Sequence, residues 1–145
     1  MRLPTRPTLA VTLALGAAAP ALAGDLSVFI TNVAPLAGAS QLRAAIYDSE
    51  EAFEKNGAPV AALVLRNARD GAHLAVGPLP PGKYAVRVFQ DLNDNGKVDT
   101  NLLGVPTEPF GFSNDAIGTL GPPSFGAAAV VVGDAGASLK INLRR

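Results

Sequence analysis

Apolar and polar residues alternate in short runs along most of the chain. Tyr84, Val86 and Val88 alternate with Lys83 and Arg87, and Leu139, Ile141 and Leu143 with Lys140, Asn142 and Arg144. A period of two sets one face of a strand in a core and the other in water. Seven segments read this way: Leu26 to Val33, Gln41 to Tyr47, Val60 to Asn67, Ala72 to Leu79, Lys83 to Gln90, Ala127 to Val132 and Ala137 to Leu143. Each is rich in Val, Ile, Leu or aromatic residues and bounded by Gly, Pro, Asn or Asp. The pattern predicts an all-β domain, about seven strands in an antiparallel sandwich, with a closed barrel of the same strand number as the alternative. One helical segment, Asp48 to Lys55, interrupts it. Asp48 is the expected cap, answered by Glu51 three residues on, with Asn56-Gly57 as the stop. Phe53 is expected to fold down onto the sheet.

Ahead of the fifth predicted strand, Pro80-Pro81-Gly82-Lys83 forms a tight turn. Tyr84 then falls much where the tyrosine corner lies in immunoglobulin-like sandwiches. The same Pro-Gly-x-Tyr lead-in is similar to the last hairpin of transthyretin-like and carboxypeptidase-regulatory-like modules. The resemblance is architectural and implies no shared activity.

The N-terminal residues have a different character. Arg2 and Arg6 precede an apolar run from Leu9 to Ala19, and Ala21-Leu22-Ala23 is a small-x-small cleavage sequence before Gly24. Residues 1–23 are therefore expected to be a signal peptide, and 24–145 a single β-sandwich domain. The run is shorter than the roughly 20 residues that cross a bilayer, and no second one follows, so no membrane span is expected after cleavage. The expected destination is the periplasm or the medium. Loss of Arg2 and Arg6 leaves ten basic against twelve acidic side chains, a formal charge of minus two.

Composition then narrows the chemistry. Across 145 residues, twelve basic and twelve acidic side chains balance, with a pI near 6.6. A nucleic-acid partner is not expected, because displacing phosphate counterions asks for a basic stripe. There is no cysteine and one histidine, His73. Thiolate zinc, thiol nucleophiles and disulfides are excluded, and a histidine-based relay is hard to assemble. No Gly-x-Ser-x-Gly elbow is present, and His73 lies in a strand pattern, where a structural role is expected.

The distinctive segment runs from Asp91 to Phe125, 35 residues between two predicted strands. That exceeds the roughly 12–15 residues that a compact domain carries without internal structure. Its opening, Asp91-Leu92-Asn93-Asp94-Asn95-Gly96-Lys97-Val98-Asp99, puts oxygen-bearing side chains at positions one, three and five, Gly at six and a carboxylate at nine. This is the spacing of a calcium loop. A hard cation takes six or more oxygens at about 2.4 Å, and every second side chain of a tight loop converges on one point. The candidate ligands are Asp91, Asn93, Asn95, Asp99 and the backbone carbonyl of Lys97. Glu108 or Asp115 is available to complete the shell. Leu102 stands where an EF-hand has its bidentate Glu and no amphipathic helices flank the loop, so an EF-hand is excluded. The competing reading is a plain type I′ turn at Asn95-Gly96.

Phe110, Phe112 and Phe125 are interleaved with Pro and Gly in the rest of the segment. They are expected to tuck in as lids over one end of the sandwich. The functional alternative makes Phe110 and Phe112 the wall of a groove for a small ligand. Three functions follow from the residues. The first is a non-catalytic binding or structural module, with calcium ordering its loop, for an envelope or extracellular partner or a small ligand. The second is a carboxylate-based glycoside hydrolase or other small hydrolase, using a pair such as Asp99 and Glu108. The third is an envelope part that pairs a sheet edge with a partner strand.

Read together, Pro80-Pro81-Gly82-Lys83-Tyr84-Ala85-Val86, the stretch Asp91 to Asn101, Gly104-Val105-Pro106, Glu108, Gly111-Phe112-Ser113-Asn114 and Pro122-Pro123-Ser124-Phe125 resemble the bacterial exported family catalogued as domain of unknown function 2141. The resemblance extends over essentially the whole mature chain, including Val33, Tyr47-Asp48 and Phe53. It implies a cellular setting and no established activity. The chain departs from the family pattern at Gln90, where His is expected, and at Thr107, where Lys is common. A catalytic or metal role for that His would therefore not be shared by this chain.

Overall fold

A computed structural model describes residues 23–35 and 40–145. The predicted signal peptide lies outside the described residues, apart from Ala23. The chain is all-β, with eight strands among the described residues: β1 (Gly24–Thr31), β2 (Gln41–Tyr47), β3 (Ala61–Arg66), β4 (Ala72–Leu79), β5 (Gly82–Asp91), β6 (Phe110–Phe112), β7 (Val130–Val132) and β8 (Ala137–Asn142). Two short helices, α1 (Glu50–Glu54) and α2 (Phe125–Ala128), and a 3-10 turn at Ser113–Asp115 complete it.

The strands form two sheets. One has the order β4-β1-β8; the other runs β3-β2-β5-β6, with β7 pairing β5 beside β6. All pairs are antiparallel except β1 with β8, which run parallel from Leu26↔Ala137 to Thr31↔Asn142. Eight strands stand where about seven were expected, and the antiparallel expectation is corrected at one of the six pairings, β1 with β8. Alternation reports which face a residue takes but carries no record of strand direction.

Leu26, Val28 and Ile30 of β1, Leu42, Ala44 and Ile46 of β2, Val86 and Val88 of β5 and Ile141 of β8 meet in one apolar core between the sheets. Burying a side chain of this size is worth about 1.5–3 kcal/mol relative to exposing it. The outer face of the larger sheet carries a second cluster. There Tyr47, Ala85 and Phe112 of the strands are buried with Phe53 of α1 and Ala128 of α2.

Phe53 is fully buried, as the helical pattern anticipates. Its ring meets Tyr47, Phe112 and Phe125 edge-on at centroid distances of 5.5–6.0 Å. Arg87 lies over the rings of Tyr47, Phe53 and Phe112 at 5.0–5.8 Å and donates to the Phe53 carbonyl and to Asn56 Oδ1. Desolvation lowers the Arg87 pKa below its ordinary value, and the nearby Tyr47 opposes that shift.

The α1 cap is Ser49 and not Asp48: the Ser49 hydroxyl accepts from the Ala52 N–H. The helix ends as expected at Asn56-Gly57, where Asn56 takes φ 53° and the Gly57 N–H returns to the Ala52 carbonyl at 2.8 Å. The strand predicted at Ala127 to Val132 divides in two. Ser124 caps α2 over its first half, and only Val130–Val132 is extended, against Gly82–Tyr84. The Tyr84 hydroxyl donates to the Pro80 carbonyl at 2.7 Å. Burial raises the Tyr84 pKa above its ordinary value, and the charge of Asp48 adds to the shift.

Among the described residues no helix is long and apolar enough to cross a membrane.

Candidate functional site

β5 runs from the Gly82 turn to Asp91, and β6 returns beside it with Phe89 opposite Phe110. The intervening loop, 92–109, is therefore held at both ends by one pair of strands. The Gln90 N–H donates to the Pro109 carbonyl at 2.8 Å and closes its neck.

Asp91 is the last residue of β5 and is fully buried on the outer face of the sheet. Its Oδ2 accepts from Arg43 Nε at 2.7 Å and from the Gly96 N–H at 2.8 Å, and its Oδ1 accepts from the Asn95 N–H at 3.1 Å. Burial alone would raise this carboxyl. The two backbone donors and the Arg43 guanidinium outweigh burial and hold it below the usual carboxylate range. Gly96 has φ +82°, a conformation that lets its N–H point back at Asp91.

The predicted ligand side chains meet one another. Asn93 Nδ2 donates to Asp99 Oδ2 at 2.6 Å and Asn95 Nδ2 to Asp99 Oδ1 at 2.8 Å. Asn93 Oδ1 accepts from the Asn95 N–H, and Asn95 Oδ1 from the Lys97 N–H. The Lys97 side chain is exposed. Glu108, nearly fully buried, joins both ends of the nine-residue stretch: Oε1 accepts from the Leu92 N–H at 2.7 Å and Oε2 from the Asp99 N–H at 3.0 Å. Asp115 is engaged elsewhere, with both of its oxygens accepting from Asn142 of β8. Among the described residues no three His, Cys, Asp or Glu side chains are grouped to hold a metal ion.

Sequence reasoning missed a basic and polar wall on one side of the loop. Asp94, at the fourth position, takes φ 60°, accepts from Gln41 and Arg43 and lies 3.8 Å from Arg66. These partners come from β2 and β3. The one local signal was the alternation that puts Gln41 and Arg43 on the same face of β2.

The remaining candidates have settled places. Phe112 is buried in the outer cluster, and Phe110 is half-buried beside it at 6.0 Å. His73 is exposed and stacks on Phe29 across the β1–β4 pair at 4.6 Å. Gln90 is buried and brackets the chain after β1: its amide pairs with both backbone groups of Ala34 and donates to Ser40 Oγ. Thr107, through its N–H and its hydroxyl, donates to the Asp99 carbonyl.

A model of the family described as "Uncharacterized protein conserved in bacteria (DUF2141)" matches residues 28–140. No curated protein and no solved structure matches the chain.

Proposed function

We propose that this chain, which belongs to the bacterial family DUF2141, is an exported, non-catalytic binding or structural module whose Asp91–Asp99 loop is ordered by calcium. One observation carries the reading. The side chains at positions three, five and nine meet, with Asn93 and Asn95 both on the Asp99 carboxylate, and the Asn95 N–H links them to Asp91 Oδ1 at position one. The Asn93 and Asn95 oxygens each accept one backbone N–H and keep a second lone pair for a hard cation, once the amide nitrogens release the Asp99 carboxylate. Asp91, Asn93, Asn95, Asp99 and the Lys97 carbonyl would hold the ion, and Glu108 braces the loop through Leu92 and Asp99. Two in-register carboxylates, one already paired with Arg43, favour weak binding, about 10⁻⁴ to 10⁻³ M, as in extracellular modules.

Within the all-β frame we read an immunoglobulin-like or transthyretin-like sandwich, supported by the Tyr84 hydroxyl turning back to the Pro80 carbonyl. Export rests on the N-terminal sequence, and the setting is the periplasm or the extracellular space. The partner is an envelope or extracellular component or a small ligand meeting the loop and the flanking Phe110.

The deciding experiment is calorimetric titration of chelator-stripped protein with calcium, with the thermal midpoint measured with and without millimolar calcium. A ligand that binds only the folded state raises the midpoint. Saturable heat, a raised midpoint and loss of both in Asp99→Ala support the reading. An absence of heat and of any shift returns Asn95-Gly96 to the role of a turn and removes calcium from the function.

A further inference from the structure

The Asp91 carboxylate is met by a cation that belongs to the protein. Arg43 Nε lies 2.7 Å from Asp91 Oδ2 and Arg43 Nη2 lies 3.2 Å from Asp94 Oδ1, while a Cβ built on Gly96 would stand 3.8 Å from Arg43 Cζ. The guanidinium thus rests over positions one, four and six of the loop. The two partners differ in freedom: the Asp91 side chain is fully buried, and the Arg43 side chain keeps 26% of its exposure. The arginine has a path into solvent that the carboxylate lacks.

Gln41, on the same face of β2, carries a second and independent sign. It is buried opposite Asp91, its Nε2 donates to Asp94, and its Oε1 is buried with no hydrogen-bond partner. Buried oxygens are nearly always satisfied, and a neutral amide oxygen is a ligand that a hard cation accepts.

The charges of this corner are close to balance. The loop and its wall hold the carboxylates of Asp91, Asp94, Asp99 and Glu108 and the cations of Arg43, Arg66 and Lys97. Asp91 Oδ2 is filled by Arg43 and the Gly96 N–H, whereas Oδ1 accepts from the Asn95 N–H and keeps a lone pair. An ion on Oδ1 shares one carboxylate with the guanidinium, and positive charges within about 4 Å repel even near a solvated surface.

Resting on the calcium reading above, we propose that Arg43 is a built-in counter-ion that calcium displaces from Asp91, so that a residue of β2 sets the calcium concentration at which the loop responds. Without calcium the guanidinium holds Asp91 and Asp94 in place. With calcium it moves toward solvent, and Gln41 Oε1 is the neutral oxygen that the wall offers the ion.

The test compares calcium binding by calorimetry in the parent, in Arg43→Gln, which removes the charge, and in Arg43→Lys, which keeps it. Arg43→Gln is expected to bind calcium roughly tenfold more tightly than the parent, and Arg43→Lys close to the parent. A second measurement uses the unaltered protein and decides the matter should Arg43→Gln not fold. In nuclear magnetic resonance spectra the Arg43 Nε–H signal should shift over the same calcium concentrations as the Gly96 backbone amide, its fellow donor to Asp91. Calcium binding to the parent with Arg43→Gln no tighter overturns the displacement and leaves the calcium site standing. So does equal tightening in both variants, or an Arg43 Nε–H signal that stays fixed while the Gly96 amide titrates. Absence of calcium binding in the parent and in both variants removes the calcium reading, and the displacement with it.

Discussion

Arg43 and Asp91 are joined diagonally across β2 and β5. In register, Arg43 lies opposite Phe89 and Asp91 opposite Gln41, yet Arg43 Nε reaches Asp91 Oδ2 at 2.7 Å. The guanidinium thereby spans one sheet position and meets Asp94 with its other arm at 3.2 Å. One side chain of β2 couples the end of β5 to the loop that follows it.

Removing Arg43 leaves the buried Asp91 carboxylate with only the Asn95 and Gly96 N–H groups. Arg43→Ala is expected to lower stability by about 2–3 kcal/mol, less than for a fully enclosed pair because the arginine is partly solvated. Urea unfolding at neutral pH measures it, and a loss below about 0.5 kcal/mol would show that the pair contributes no more than a surface bridge.

Acid should expose the same carboxylate. The folded-state pKa of Asp91 is lowered, so its contribution is present above the unfolded value of about 3.9 and is lost as pH falls through the folded value. The urea midpoint should decline below about pH 4. Asp91→Asn, already deprived of the charge, should show a shallower decline over the same range.

The opposite sign holds at Tyr84. Its folded pKa is raised, by burial and then by Asp48, so its contribution is complete below about pH 10 and is lost as pH rises through the folded value. Tyr84→Phe removes the hydroxyl bonded to Pro80 and should cost about 1 kcal/mol at neutral pH. The same variant should lose less stability than the parent between neutral and strongly alkaline solution, as followed by thermal melts.

Phe53 fastens α1 to the larger sheet. It is fully buried and touches three aromatic rings, and its carbonyl receives Arg87. Phe53→Ala should cost about 3–5 kcal/mol in chemical denaturation, and Phe53→Leu substantially less.

Glu108 should control the loop in preference to the core. Glu108→Ala orphans the N–H groups of Leu92 and Asp99, and cleavage within residues 92–107 should accelerate under limited proteolysis. Equal cleavage rates in parent and variant would show that the loop is held by its other contacts.

The strands with clear alternation were legible in the sequence: β2 and β4 have the predicted limits, and β5 differs by one residue at each end. The strand β6 was not. Its three residues follow directly on Pro109, and Gly111 is suited by a tertiary fact, since a Cβ there would come within 2.6 Å of Ile141 Cγ2. Only the first half of the strand assigned across Ala127 to Val132 failed, because Gly126-Ala127-Ala128 has no β-branched residue and Ser124 supplies a cap. At the site, the spacing of Asp91, Asn93, Asn95 and Asp99 was legible because it is local. Arg43, Gln41 and Arg66 were not, because β2 and β3 bring them to the loop only after the sheet has formed.

The parallel pairing of β1 with β8 has a temporal meaning. Of the described strands, the middle strand of the smaller sheet leaves the ribosome first, and one of its two neighbours leaves last. Until β8 arrives, Leu26, Val28 and Ile30 lack the side of their core that Ile141 supplies, and only the β4 flank can be hydrogen-bonded. Such long-range closure is slow, because the loop entropy is lost before the contact forms. The nascent chain is thus kept from locking shut during synthesis, and the molecule assembles as a clasp whose final segment engages its first.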